Sequence, residues 1–348
     1  MSEESENLLG PNAKQKDVLE LLNLLQYKHV ARSPKIPNVS SVTNHFFWFE
    51  DDKYRSWSGV ELMLFTRNKR LYVTTHTNAS RSYFDTEHQN KTIRLLKKYF
   101  GGEFVTDNGK GRYLVKTAQS PEPAASGCHI AFNRFGSNMI RPLVYFGRRK
   151  FHNLDSDEIS HVHRVDIANP RFTSNAMILP YIMSVAEEYW KSTFIAMLRY
   201  SSSKLNAIKD LPKLSPIAIS QISTGEKTVE QAISEPLSFI GISKVCENFS
   251  KIDKKLNFAG LLMKPYGRRK TNLYKMLDDL ANIRNGIIHN AGSDYFLTDL
   301  EIRVAFRSVS DAVEICYRDL TAKRHWPFIK NFNLRVLEKN VKLPKSQD

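Results

Sequence analysis

Asn282-Ile283-Arg284-Asn285-Gly286-Ile287-Ile288-His289-Asn290, together with the leucine-rich residues just before it, is the stretch that decides how the C-terminal half of this chain folds. At about 100° per residue, Leu273, Met276, Leu280, Ile283 and Ile287 fall in one apolar stripe, so the spacing predicts a helix over 270–291. Arg284 lies at the edge of that stripe, and His289 points almost to its opposite side, away from a core. Asn285 and His289 are four residues apart on one face, so the amide can orient the imidazole, and Arg284 can reach around toward the same cleft. A guanidinium, an amide and an imidazole so placed look like a phosphate site. The plainer alternative is a solvated histidine that complements the negative end of the helix dipole.

Working outward, the chain after Pro180 is helical in texture. Ile182, Val185, Tyr189, Phe194 and Met197 mark a long buried face running to about Tyr200, and further helices are predicted over 236–253 and 299–322. The last opens on Thr298 and Glu301, a capping box in which each side chain satisfies the other's orphan backbone donor. Four helices of this length fit an antiparallel bundle. The weakly periodic residues 201–235 would form the long connection between the first two.

The N-terminal half reads as α+β. Val18, Leu21, Leu22 and Leu25 predict an amphipathic docking helix over 12–28, with Asn12 as its cap. Strand-like runs follow at 45–50, 60–66 and 71–77, the last two joined by a turn at Arg67 to Arg70. A helix over 86–100 stops at Gly101 and Gly102, and short strands at 104–106 and 112–116 flank the turn residues Asp107, Asn108 and Gly109. The expected organisation is therefore an α+β module with a leading helix over 1–116, a linker and mixed region of short strands over 117–174, a helical bundle over 175–325, and a basic tail over 326–348.

Composition narrows the partners. The 348 residues carry 51 Lys and Arg against 36 Asp and Glu, a net charge of +15, while 41% hydrophobic and 25% charged residues are ordinary for a globular chain. Disorder is excluded, and the charge excess points to a polyanion, nucleic acid first. Cys128, Cys246 and Cys316 form no CxxC pair, which excludes a zinc ribbon or a disulfide framework and suggests a reducing compartment. The acidic N-terminus lacks a signal-peptide pattern, and no apolar run reaches the ~18 to 20 residues of a membrane span, so a soluble, cytoplasmic protein with no membrane partner is expected.

Arg284-Asn285-Gly286-Ile287-Ile288-His289 resembles the R-N-x-x-x-H form of the Arg-x4-6-His signature of HEPN domains, α-helical bundles found in prokaryotic toxins, abortive-infection proteins and RNA-guided effectors. Context adds to the motif: it closes the third of four predicted helices, after Leu277-Asp278-Asp279-Leu280 and before a well-capped fourth. The resemblance covers about residues 175–325, less than half of the chain. It is nearest in character to the larger bacterial HEPN proteins of phage defence.

The resemblance implies a metal-independent endoribonuclease acting as a homodimer, with no cofactor and no metal, whose products carry a 2′,3′-cyclic phosphate and a 5′-hydroxyl. His289 and Arg284 would be catalytic, with Asn285 orienting the imidazole or a phosphate oxygen. It also implies a toxin or antiviral effector, with room for an antitoxin or a defence-system partner protein. A competing expectation is a non-catalytic HEPN module that binds RNA or a protein.

Lys264, Tyr266, Arg268, Arg269 and Lys270 form a basic run with one aromatic at the start of the same helix, suited to tracking an RNA backbone and stacking a base. Its plain alternative is a solvated loop. Arg148, Arg149 and Lys150, among Tyr145, Phe146 and Phe151, could do likewise. Weaker signals are His161 and His163, a metal-pair spacing without a third ligand, and Gly109-Lys110-Gly111, more naturally a hairpin turn than a P-loop. Ser201 and Lys204 lack the companions of a penicillin-binding motif. A PD-(D/E)xK nuclease would need its acid-x-Lys element at Glu61-Leu62-Met63, which has no lysine.

Overall fold

A computed structural model describes residues 2–31, 42–50, 52–116, 120–151, 157–160, 162–201, 209, 213–267, 271–289 and 295–340. The chain divides into two compact units, residues 1–126 and 127–348. The first is mixed α and β, and the described residues of the second are helical. No helix among the described residues is long and apolar enough to cross a membrane.

The first unit is built on a seven-stranded antiparallel sheet made of β1 (Glu3–Leu8), β2 (Lys28–His29), β3 (Val42–Trp48), β4 (Val60–Arg67), β5 (Arg70–Thr77), β6 (Glu103–Thr106) and β7 (Gly109–Lys110), in the order β2-β3-β4-β5-β1-β6-β7. Alternation sets its faces: Val60, Leu62 and Leu64 of β4 are fully buried, while Glu61, Met63 and Phe65 turn the other way. The β4–β5 turn is the one expected, with Asn68 and Lys69 both at positive φ as a two-residue hairpin of this hand requires. Helix α1 (Gln15–Leu24) docks through Val18, Leu21 and Leu22 into a core with Phe46, Trp48 and Leu96. Its first turn follows Lys14, so Asn12 is not its cap.

Helix α2 (Tyr83–Phe100) begins three residues earlier than its apolar pattern suggests, because Ser82 and Asp85 make a capping box. It ends at Gly101, which takes the positive φ foreseen for it.

One further expectation for this unit fails, and one strand went unforeseen. Residues 112–116 are not a strand; the partner of β6 is the short β7. The strand β1 was not foreseen, although it lies inside the sheet between β5 and β6. The reason is chemical: its inward residues are Ser5 and Asn7, not apolar ones. Ser5 Oγ lies 2.6 Å from Thr75 Oγ1, and Asn7 Nδ2 donates to the Val73 carbonyl at 3.0 Å. Gln89 of α2 continues the network, donating from Nε2 to Thr75 Oγ1 at 2.9 Å and accepting from Thr77 Oγ1 at 3.1 Å. This part of the helix–sheet interface is held by hydrogen-bonded polar side chains, so it carries no hydrophobic period.

In the second unit, the region expected as a linker and short strands contains helix α3 (Pro123–Arg148), 26 residues long. Gly136 and Pro142 are poor helix formers, yet Cys128, Phe132, Phe135, Met139, Leu143 and Phe146 recur at helical spacing and are all buried. Gly136 is where the Phe332 ring lies against the helix; an added Cβ would fall 2.3 Å from it. After α4 (His163–Ala168), α5 (Pro170–Arg199) starts on the Asn169 cap and runs through Pro180, where the expected helix only began. Proline removes a single N–H donor there, and burial of Phe172, Ile178, Ile182, Tyr189 and Phe194 along the helix outweighs it.

Residues 201–235 are not one connection: α6 (Pro216–Ser223) and α7 (Val229–Ser234) lie within them, each with its own side-chain cap. There follow α8 (Ile242–Ile252), α9 (Phe258–Leu262), α10 (Leu273–His289) and α11 (Asp299–Lys323), the last opening on the expected Thr298–Glu301 box. The supposed tail holds α12 (Leu334–Asn340), with Leu334 buried and Arg335 bonded to Asp311. The long α5 packs against α10 and α11, and Phe132 of α3 stacks on Tyr317 of α11 at 4.2 Å. The unit thus holds more helices than the four foreseen.

Candidate functional site

Helix α10 presents the residues singled out above. Leu273, Leu277, Leu280 and Ala281 are its buried positions, while Met276, Ile283 and Ile287 are only half-buried. The packed face is therefore rotated from the stripe read in the sequence. Relative to Leu273, Arg284 lies at about 20° around the helix, within that packed face, whereas Asn285 and His289 lie at about 120° and 160°. Arg284 is accordingly half-buried and His289 exposed in the last turn.

Arg284 Nη1 donates to Asn285 Oδ1 at 3.0 Å, and its buried Nε has no hydrogen-bond partner among the described residues. Among the described residues no carboxylate pairs with this guanidinium. The expected amide–imidazole contact is not what the structure records: the Asn285 oxygen is taken by Arg284, and among the described residues His289 makes no hydrogen bond. Ile288 beside it is 47% exposed. Gly286 is covered by the ring of Tyr295, so closely that an added Cβ would lie 2.2 Å from its hydroxyl oxygen. Tyr295 had no signal in the sequence, because it lies in a connecting segment without a periodic pattern.

Of the basic run, Lys264 is exposed, and Arg268, Arg269 and Lys270 lie outside the described residues. Tyr266 is half-buried and engaged: its hydroxyl accepts from Arg335 Nη2 at 2.7 Å, and the same guanidinium holds the buried Asp311. The second basic run departs further from expectation. Arg148 and Lys150 are exposed, but Arg149 is buried and donates to Ser174 Oγ at 3.0 Å, to Asn175 Oδ1 at 2.6 Å and to the Asp299 carboxylate. It also stacks over Phe146, 4.1 Å from the ring centroid. Arg149 thus ties the end of α3 to the starts of α5 and α11 and is not available to a nucleic acid. No sequence pattern separates it from its neighbours, because only one of three adjacent cations turns inward.

The weaker signals resolve simply. Gly109 and Lys110 form the hairpin strand β7, with Lys110 paired to Glu103 at 2.6 Å. His161 and Lys204 lie outside the described residues, and among those described no group of three or more His, Cys, Asp or Glu is placed to hold a metal ion. Glu61 sits 2.7 Å from His45 Nε2 and 3.6 Å from His76 Nδ1. Comparison with known protein families, with characterised proteins and with solved structures finds no match to this chain.

Proposed function

We propose that the C-terminal unit is a HEPN-like helical bundle acting as a metal-independent endoribonuclease, with Arg284 and His289 at its reacting centre and Asn285 supporting them. The observation that carries this reading is the state of Arg284: a half-buried guanidinium that no carboxylate neutralises among the described residues, five positions before an exposed histidine on the same helix. Such a charge is suited to an oxyanion.

The chemistry needs little more. The RNA 2′-hydroxyl is an internal nucleophile held near the phosphorus, so a base and a charge stabiliser supply much of the acceleration. An imidazole can serve as base or as acid, so His289 can take and return protons, and the Arg284 fork can hold the non-bridging oxygens as charge builds in the pentacoordinate transition state. The reaction moves two protons, one from the 2′-hydroxyl and one to the leaving 5′-oxygen. One histidine per chain suits a two-fold dimer that brings a second, and the exposed Ile288 offers apolar surface beside it. Asn285 acts here on Arg284, restraining its guanidinium. A cytoplasmic toxin or phage-defence effector, with or without an antitoxin, is the role the family resemblance favours.

The test is incubation of the full chain with an RNA and its all-deoxy counterpart in excess chelator. RNA alone should be cut, leaving 2′,3′-cyclic phosphate ends, and His289→Ala should abolish cutting. Cleavage of both substrates, or cleavage untouched by that substitution, overturns the assignment. A second reading is favoured by Arg284 lying within the packed face of α10: a module that binds RNA without cutting it. It requires salt-sensitive RNA binding that His289→Ala leaves intact, with no product at any protein concentration.

A further inference from the structure

The first unit holds a cleft of about 470 Å³ that the reading above does not use. It opens between the end of α1, the end of β3 and the outer face of α2, and its walls are strongly charged. Arg55, Lys91, Arg94 and Lys116 face it against two carboxylates, Glu50 and Glu87. Each carboxylate is already matched, Glu50 to Arg55 at 3.7 Å and Glu87 to Lys116 at 2.9 Å. Lys91 and Arg94, one turn apart on α2 and both exposed, have no carboxylate partner among the described residues; Arg94 lies over the Tyr113 ring at 5.7 Å.

The floor of the cleft is aromatic and fixed. Trp48 and His88 stack face to face, 3.8 Å apart and within 5° of parallel, and Tyr27 backs His88 at 5.2 Å. Phe84 is half-buried beneath the Arg55 guanidinium, and Leu24 on the rim is 76% exposed. Burial and the nearby Lys91 hold the His88 imidazole neutral, its pKa lowered to about 3, so the floor adds no charge of its own.

These features select among anions. A cleft of this volume is of the size that encloses a small molecule. The two uncommitted cations ask for a phosphate. The carboxylates would repel a continuous polyanion but can accept hydrogen bonds from sugar hydroxyls, as acidic residues do for ribose in nucleotide sites. Phe84 and Leu24 supply apolar surface for a planar ring, which a bare phosphate or a sugar phosphate would not use. We infer that this cleft binds a mononucleotide, with its phosphate on Lys91 and Arg94, its sugar hydroxyls toward Glu50 and Glu87, and its base against Phe84 and the α1 end. The inference is independent of the ribonuclease reading and makes the first unit a nucleotide-responsive module.

Calorimetric titration of the full chain with AMP, GMP, CMP and UMP tests it, with adenosine and inorganic phosphate as the two separated halves. At least one nucleotide should bind in the micromolar range, with each half weaker by about tenfold or more, a difference of about 1.4 kcal/mol. Lys91→Glu with Arg94→Glu should weaken the nucleotide by about tenfold or more, while the same charge change at the exposed Lys254 and Lys255 of the other unit should not. Circular dichroism of the exposed-site variants checks that the fold is kept. Absence of binding by all four nucleotides overturns the inference, as does equal weakening by the two charge reversals. So does a single-stranded RNA that binds through Lys91 and Arg94 where mononucleotides do not.

Discussion

At the level of single residues, Arg284 and His289 ask different things of a substitution. Arg284→Lys keeps the charge but loses the planar fork and the bond to Asn285, and it should lower kcat by about 10²- to 10³-fold with a smaller change in KM if the guanidinium acts on the transition state. Equal loss in KM alone would mark Arg284 as a ground-state binding residue. Gly286 gives a test of geometry. In an open helix, glycine to alanine gains about 1 kcal/mol, but here the new Cβ would meet the Tyr295 ring at 2.2 to 2.5 Å. Gly286→Ala should therefore destabilise the protein in urea unfolding, and the same change made in a Tyr295→Ala background should stabilise it. A cycle with no such change of sign would mean that Tyr295 does not cover the motif.

At the level of elements, buried polar groups fix what apolar periodicity leaves open. Asp85 at the start of α2 is fully buried and accepts from Ser82 N at 2.8 Å, from Ser56 Oγ at 2.5 Å, and from Trp57 N and Ser58 N at 3.1 Å. It fastens the segment before β4 to the helix that covers the sheet. Asp85→Ala leaves those buried donors unmatched and should cost about 3 to 5 kcal/mol, with faster amide exchange at Trp57 and Ser58, whose N–H groups it holds. Arg149 plays the matching part in the second unit. Arg149→Met takes the nearest cation from the buried Asp299 carboxylate, which keeps Arg171 Nη1 at 3.4 Å and Asn175 Nδ2 at 3.0 Å, and should cost about 1 to 3 kcal/mol. Unchanged stability in this variant would show that the pair is solvated. Neither device is visible in the sequence beyond the capping box itself, because a buried arginine and an exposed one are the same letter.

Across the whole molecule, buried histidines set the response to acid. His129 is 2% exposed, takes a hydrogen bond from Asn133 Nδ2 at 2.8 Å and faces the Tyr317 hydroxyl; burial lowers its pKa to about 4, and that of His88 in the other unit to about 3. A histidine whose folded-state pKa lies below its unfolded value binds more protons when unfolded, so stability is whole above pH ~6.5 and falls as pH drops toward the folded value. For His129 the loss is about 3 kcal/mol between pH ~6.5 and ~4. Urea midpoints measured across that range should decline, and His129→Gln should flatten the curve; a midpoint constant from pH 7 to 4 would refute the assignment. The +15 charge acts at the same scale: if the second unit binds RNA, affinity should fall steeply with salt.

What the sequence determined by itself is the part written in local pattern. The β-rich runs at 60–66 and 71–77 with the turn between them marked a pair of strands, and Thr298 with Glu301 marked a helix start. The helix closing on Arg284 to His289 was legible too, since a helical period needs only its own residues. The tertiary structure decided what depends on partners from far along the chain. Ser5 and Asn7 form an inner strand because Val73, Thr75 and Gln89 meet their polar groups. Gly136 and Pro142 stay inside a helix because Phe332 fills the space beside one and apolar burial outweighs the donor lost at the other. Arg149 leaves the surface because Asp299, 150 positions later, receives it, while Lys91 and Arg94 stay exposed beside a cleft with no carboxylate partner among the described residues. Burial and charge pairing are properties of the assembled fold, and side chains of one chemistry take opposite roles according to what the fold brings near them.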